Sequence, residues 1–145
     1  MVKTMLEELR RNAEIITIYV KEKGIESDEI KKKIEYIREV KETALGISDT
    51  AIRHGLQELK KTADGLPADN TEQHLKDLIY LVIDGVDPKI VEEIAWNKYY
   101  VNCYSGFGGL EFIIYMYTCL AIQQETHHCI IEAMIDSMIP DVIRS

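Results

Sequence analysis

From Tyr99 to Ile122 the chain carries one charged residue, Glu111, in 24 positions. A stretch this long and this poor in charge belongs either in a bilayer, whose hydrocarbon core takes about 20 apolar residues as helix, or in a protein interior. Three features argue against the bilayer. The stretch contains the cluster Ser105-Gly106-Phe107-Gly108-Gly109, five tyrosines (Tyr99, Tyr100, Tyr104, Tyr115 and Tyr117), and no basic cluster on either flank to set an orientation. The expectation is two buried helices joined by a glycine loop at 105–109.

The remaining segments read as amphipathic helices that would cover this interior. Leu6, Leu9, Ala13, Ile16 and Val20 recur at spacings of three and four, the period of a helical stripe. Gly24 stands where a helix ends in the left-handed conformation, and Ser27 can cap the next helix, with Asp28 and Glu29 favourable at its positive end. That helix presents Ile30, Ile34, Ile37, Lys41, Ala44 and Leu45, with Lys31, Lys32 and Lys33 solvated. Gly46-Ile47-Ser48-Asp49 reads as a break capped by Ser48 or as a kink. Helix resumes through Ala51, Leu56 and Leu59, and 64–70 is a loop. Leu75, Leu78, Ile79, Val82 and Ile83 then form a stripe that Gly85 terminates. Asp87 is placed as N-cap and Pro88 at the first helical position, where its missing N–H costs nothing. Gly85, Asp87 and Pro88 thus turn a tight corner between two helices. Further helices are expected at 110–124 and 126–138, ending at Pro140. No segment alternates as a strand does, so the fold class expected is all-α, a bundle of five to seven helices in one domain over 1–145.

Composition narrows the function. The 145 residues are 46% hydrophobic and 29% charged, an ordinary globular balance. Residues 1–64 are electrically neutral and the whole net charge of −8 lies after them. Such a surface is repelled by phosphate backbones, so nucleic acid is not an expected partner. The opening Met1–Glu8 turns acidic before any apolar stretch develops, so no secretory leader is expected. Three cysteines suggest reduced thiols and a cytoplasmic location.

A set of segments is more specific than its periodicity. His74-Leu75-Lys76-Asp77-Leu78-Ile79-Tyr80-Leu81-Val82-Ile83-Asp84-Gly85-Val86-Asp87-Pro88 is followed by a second helix. Upstream stands Ala51-Ile52-Arg53-His54-Gly55-Leu56-Gln57-Glu58-Leu59, and downstream Tyr117-Thr118-Cys119-Leu120-Ala121-Ile122-Gln123-Gln124 and Ile130-Ile131-Glu132-Ala133-Met134-Ile135-Asp136-Ser137-Met138-Ile139-Pro140. In this order they resemble the cytoplasmic region of the MotA flagellar stator family, over 51–98 and 110–140. The resemblance implies stator-like cytoplasmic helices with the family's membrane spans absent, preceded by an added helical hairpin at 1–50. It implies a bacterial motility protein that binds a flagellar rotor or stator component, or a second copy of itself. Ion conduction by this chain alone is not expected, because nothing remains to line a pore. At two positions where the family carries charges implicated in rotor contact, this chain has Ile52 and Lys60. The residues expected to contact a partner are Arg53, Glu58, Lys60 and Lys61.

Chemistry is sparse. Glu125-Thr126-His127-His128 contains a Glu-x-x-His spacing, but a di-iron bundle uses two such motifs and two further glutamates. Cys119, His127, His128 and Cys129 lack the usual zinc spacing. A metal-binding bundle using Glu125, His128 and Cys129 is the alternative reading, and a peripheral membrane accessory using Tyr99–Ile122 is another. Glu92 and Glu93 are read as first-turn residues favouring the positive end of the Pro88 helix. The 105–109 glycines do not match a phosphate loop. Trp96 and the tyrosines at 99, 100 and 104 read as core or interface. No cofactor and no catalysis are expected.

Overall fold

The computed structural model describes residues 2–67 and 70–144, and the side chains of 4–67 and 72–144. Six α-helices account for nearly all of them: α1 Val2–Lys23, α2 Asp28–Asp64, α3 Asn70–Ile83, α4 Pro88–Val101, α5 Gly106–Gln123 and α6 His128–Met138, with a final 3-10 turn at Asp141–Ile143. No strand occurs among the described residues. The loop expected at 64–70 begins at Gly65, and its residues Ala68 and Asp69 lie outside the described set.

The charge-poor stretch supplies the centre. Leu110 to Met116 and Thr118 to Ala121 are buried without interruption, and every other helix packs on α5. A helix covered on all sides has no polar face, which accounts for the low charge of this segment. Its one carboxylate, Glu111, is buried and accepts a hydrogen bond from the Tyr36 hydroxyl of α2 at 2.6 Å. No helix is long and apolar enough to cross a membrane among the described residues.

The glycines at 106, 108 and 109 are not a loop. They form the first turn of α5, and the connection from α4 is only 102–105. Ser105 makes no side-chain cap; Asn12 of α1 does so from across the core. Its Oδ1 accepts from the Gly106 N–H at 2.9 Å, and its Nδ2 donates to the Tyr99 hydroxyl at 2.9 Å. Tyr99 in turn donates to Glu8 at 2.8 Å. A Cβ on Gly109 would stand 2.6 Å from the Asn12 amide, so glycine is what lets the two helices meet. Asn12 is 1% exposed whereas Leu6 is 60% exposed. The inner face of α1 therefore runs through Asn12, Ile16 and Val20 and leaves Leu6 outside. The expected hairpin at 1–50 is likewise corrected: α1 and α2 meet near their shared turn, and both lie mainly on α5.

α2 starts as expected, with Gly24 at φ +90° and Ser27 Oγ accepting from the Ile30 N–H. It then runs straight through 46–49. Burial of Ala44, Ile47 and Ser48 against the core outweighs the cost of one mid-helix glycine, about 1 kcal/mol. The break falls instead at Gly55, at φ +83° and ψ −179°, a conformation essentially restricted to glycine.

Three successive corners share one geometry. At each, two backbone hydrogen bonds close the helix around a left-handed residue: Gly85 and Val86 onto Val82 and Leu81, Cys103 and Tyr104 onto Tyr100 and Tyr99, Glu125 and Thr126 onto Ile122 and Ala121. This is the Schellman closure, and an N-cap follows two residues later: Asp87, Ser105 or His127. Asp87 accepts from the Lys89 N–H at 2.8 Å, as its position before Pro88 requires. Only the first corner uses glycine; Cys103 and Glu125 occupy φ +55° and +54°.

Cys103→Gly should therefore raise stability by about 0.5–1 kcal/mol, whereas Gly85→Ala should lower it by a similar amount, both read by urea denaturation. Gly109→Ala should cost about 1–3 kcal/mol through overpacking. Gly109→Ala combined with Asn12→Gly should cost less than the sum of the two single losses, because the clash and the cap are one contact.

Candidate functional site

One end of the bundle collects the break in α2 and two of the three corners. Ala51 and Ile52 stand before Gly55 and Leu56 after it. Val82, Gly85, Val86 and Pro88 come from the α3–α4 corner. Ile122, Gln123, Glu125, Thr126, His127 and His128 come from the α5–α6 corner. Together they line a groove of about 670 Å³, within the range of ligand-binding clefts.

The groove has apolar walls and a polar end. Ile52 and Leu56 are 53% and 43% exposed, although both are large aliphatic residues. Gln123 Nε2 donates to the Val86 carbonyl at 2.7 Å and ties the two corners together. That bond orients the amide, so Oε1 is left as an acceptor; it is buried and has no hydrogen-bond partner. His128 Nδ1 is buried and without a partner too. His127 Nδ1 accepts from the Cys129 N–H at 3.2 Å, which leaves its Nε2 to carry the ring proton.

The residues expected to contact a partner lie on α2, which lines this groove through Ala51, Ile52 and Leu56. Arg53 is paired with Asp49 at 2.7 Å, and Lys61 with Glu58 at 3.0 Å; all four are on α2, on either side of Gly55. Exposed pairs of this kind contribute about 0.3–0.5 kcal/mol. Arg53, Glu58, Lys60 and Lys61 are all exposed, and none lines the groove. Gly85 and Pro88 do line it, and Asp87 caps the helix between them and α4. Sequence reasoning missed Leu56 as a surface residue, because an aliphatic residue at helical spacing reads as core.

Among the described residues no group of three or more histidine, cysteine, aspartate or glutamate side chains could hold a metal ion. Glu125 and His128 line the groove, but Cys129 is exposed and outside it. Cys119 is fully buried in α5, and burial pushes its thiol up to about 12, which removes it as a nucleophile. Glu92 and Glu93 fall in the second turn of α4, not the first. Glu92 is buried and accepts from the Trp96 indole at 3.3 Å, so indole pairing replaces the expected interaction with the helix end.

A second polar inclusion lies at the far end of α3. His74 packs edge-on against Tyr104 and Phe112, with ring centroids 5.9 and 6.2 Å away, and its Nδ1 is buried without a partner. Desolvation, reinforced by the nearby Lys98 ammonium, holds the imidazole below its ordinary value, while Asp77 opposes them. Lys98 is itself paired with Asp77 at 3.3 Å.

Comparison with protein-family models, with curated proteins and with solved structures finds no match to this chain.

The depressed His74 pKa has a definite sign in stability. The fold favours the neutral ring, whereas the unfolded chain takes up a proton near pH 6.5. The contribution is complete above that pH and is lost as pH falls below it. His74→Gln should therefore flatten the stability–pH profile as pH falls below about 6.5, measured by urea denaturation at each pH.

Proposed function

We propose that this chain is a helical interaction protein that works in the cytoplasm, without catalysis or ion conduction. By its resemblance to the MotA cytoplasmic region, its partner is a flagellar motor component or a second copy of itself. The observation that carries the reading is convergence. Three of the segments behind the resemblance are far apart in sequence, and residues from each line one groove: Ala51, Ile52 and Leu56; Val82, Gly85, Val86 and Pro88; Ile122 and Gln123. The contact residues Arg53, Glu58, Lys60 and Lys61 stand on its α2 side. Arg53 and the Glu58–Lys61 pair flank the glycine break that turns α2 at the groove. Ile52 replaces a family charge with an exposed aliphatic side chain, so contact with a partner here is apolar at the centre and charged at the rim.

The burial of Leu110 to Met116 and Thr118 to Ala121 at the centre of the bundle does not favour the membrane-accessory reading, since most of the apolar part of the stretch is covered by other helices. The scattered positions of Glu125, His128 and Cys129 do not favour the metal-bundle reading.

The test is binding of the purified chain to a purified flagellar rotor switch protein, with sedimentation of the chain alone as the measure of self-association. Arg53→Glu with Lys60→Glu should weaken whichever interaction is present by about tenfold, if each rim charge contributes roughly 0.5–1 kcal/mol. If the chain is monomeric and shows no binding, or if the double charge reversal changes neither measurement, the reading fails.

A further inference from the structure

We infer that the groove between the α2 break and the two corners receives a basic amphipathic helix of a partner protein, which seats an aliphatic side chain against Ile52 and Leu56. The inference rests on the interaction reading above and supplies the chemistry of the partner.

Three independent observations specify that occupant. The first is the lining. Ala51, Ile52, Leu56, Val82, Val86 and Ile122 offer an aliphatic surface of side-chain width on one end of a helical bundle, the arrangement in which an amphipathic helix lays down its apolar stripe. The second is the charge. Segments 82–88 and 122–128 contain Asp84, Asp87 and Glu125 and no lysine or arginine, and all three carboxylates are exposed. Arg53, next in sequence to the lining residue Ile52, is occupied by Asp49 at 2.7 Å. Lys89, just after the corner, and Lys60, on α2 after the break, oppose the trend. The potential at the mouth therefore favours a positive partner and disfavours an acidic one. The third is the hydrogen-bond inventory. Gln123, on the groove wall, holds Oε1 as an oriented, buried acceptor with no donor, a cost that a donor brought by the partner would relieve. A lysine, an arginine or a helix-end N–H supplies one; an aspartate or glutamate side chain does not.

A second copy of the chain is a poorer occupant. The exposed apolar face of α1, with Leu6 and Ile18 flanked by Arg10 and Lys21, is the nearest match to such a helix within the sequence. It belongs to a different surface from the groove. Seating it there would join two different surfaces, a contact that lacks the self-complementarity of the common two-fold dimer.

The experiment titrates the intact chain against two labelled synthetic helical peptides by fluorescence anisotropy. Both carry leucine at i, i+3, i+4 and i+7; the remaining positions are lysine in one and glutamate in the other. The lysine peptide should bind, more weakly as salt rises, and at least about tenfold more tightly than the glutamate peptide. Ile52→Asp with Leu56→Asp should weaken it at least tenfold, a loss typical of central contact residues. Both positions are exposed, so the fold should survive, and unchanged helicity by circular dichroism checks this. Ile18→Asp on α1 should leave binding unchanged, and Asp84→Lys with Glu125→Lys should reduce or reverse the preference for the lysine peptide. Equal binding of the two peptides overturns the inference, as does binding indifferent to the Ile52 and Leu56 changes. Self-association of the unmodified chain that those changes abolish assigns the groove to a second copy and overturns it too. If the lysine peptide fails while the rotor switch protein still binds and responds to Arg53→Glu with Lys60→Glu, only this inference falls.

Discussion

The first turn of α5 meets the middle of α1 at a contact where glycine is the only side chain that fits. Asn12 approaches so closely that a methyl group at Gly109 would overlap its amide, and from there it caps the start of α5 and holds the Tyr99 hydroxyl. Much else depends on this contact. It lets a helix with a single charge begin in the protein interior without leaving its first N–H bare. It fixes the depth of α5 among the other helices, and hence where the α5–α6 corner emerges at the opposite end. The groove is built at that end, so its shape is inherited from a glycine contact on the other side of the core.

The three Schellman corners explain how so short a chain wraps a helix completely. Each reverses direction in four residues, and each begins the next helix with a cap supplied locally or from across the core. Lys41 of α2 then reaches Asp136 of α6 at 2.7 Å and Glu132 at 3.6 Å, closing the last helix against the first half of the chain. Hydrogen bonding to Asp136 raises the Lys41 pKa, as expected for an ammonium with a close carboxylate partner. The acidic C-terminal half is thus partly neutralised by the N-terminal half on one side. On the groove side, Asp84, Asp87 and Glu125 remain exposed.

Local signals were legible wherever the chemistry is local. Gly24 with Ser27, and Gly85 with Asp87 and Pro88, work through hydrogen bonds and dihedral angles within a few residues, so the residues themselves announce the turn. The apolar stripe of α3 was legible because helical periodicity is itself local. Where two candidate signals competed, locality failed. Gly46 and Gly55 are both glycines in one long helical segment, and the choice between them was made by Ala44, Ile47 and Ser48 burying against distant helices. Cys103 and Glu125 hold left-handed conformations that their identities do not suggest, and closure of the bundle imposes them. The glycines after Ser105 looked like a flexible connector because their reason for being small is Asn12, more than ninety positions earlier.

The sequence by itself determined that the chain is all-helical, that the charge-poor stretch supplies an interior helix, and where the Gly85 corner turns. These follow from periodicity, charge and the dihedral preferences of glycine and proline. Only the tertiary structure decided which face of α1 is internal, where α2 breaks, and that Ile52 and Leu56 stand exposed beside a polar corner. The physical reason is the same in each case: these outcomes depend on contacts between segments far apart in the chain, whose energies no local pattern encodes.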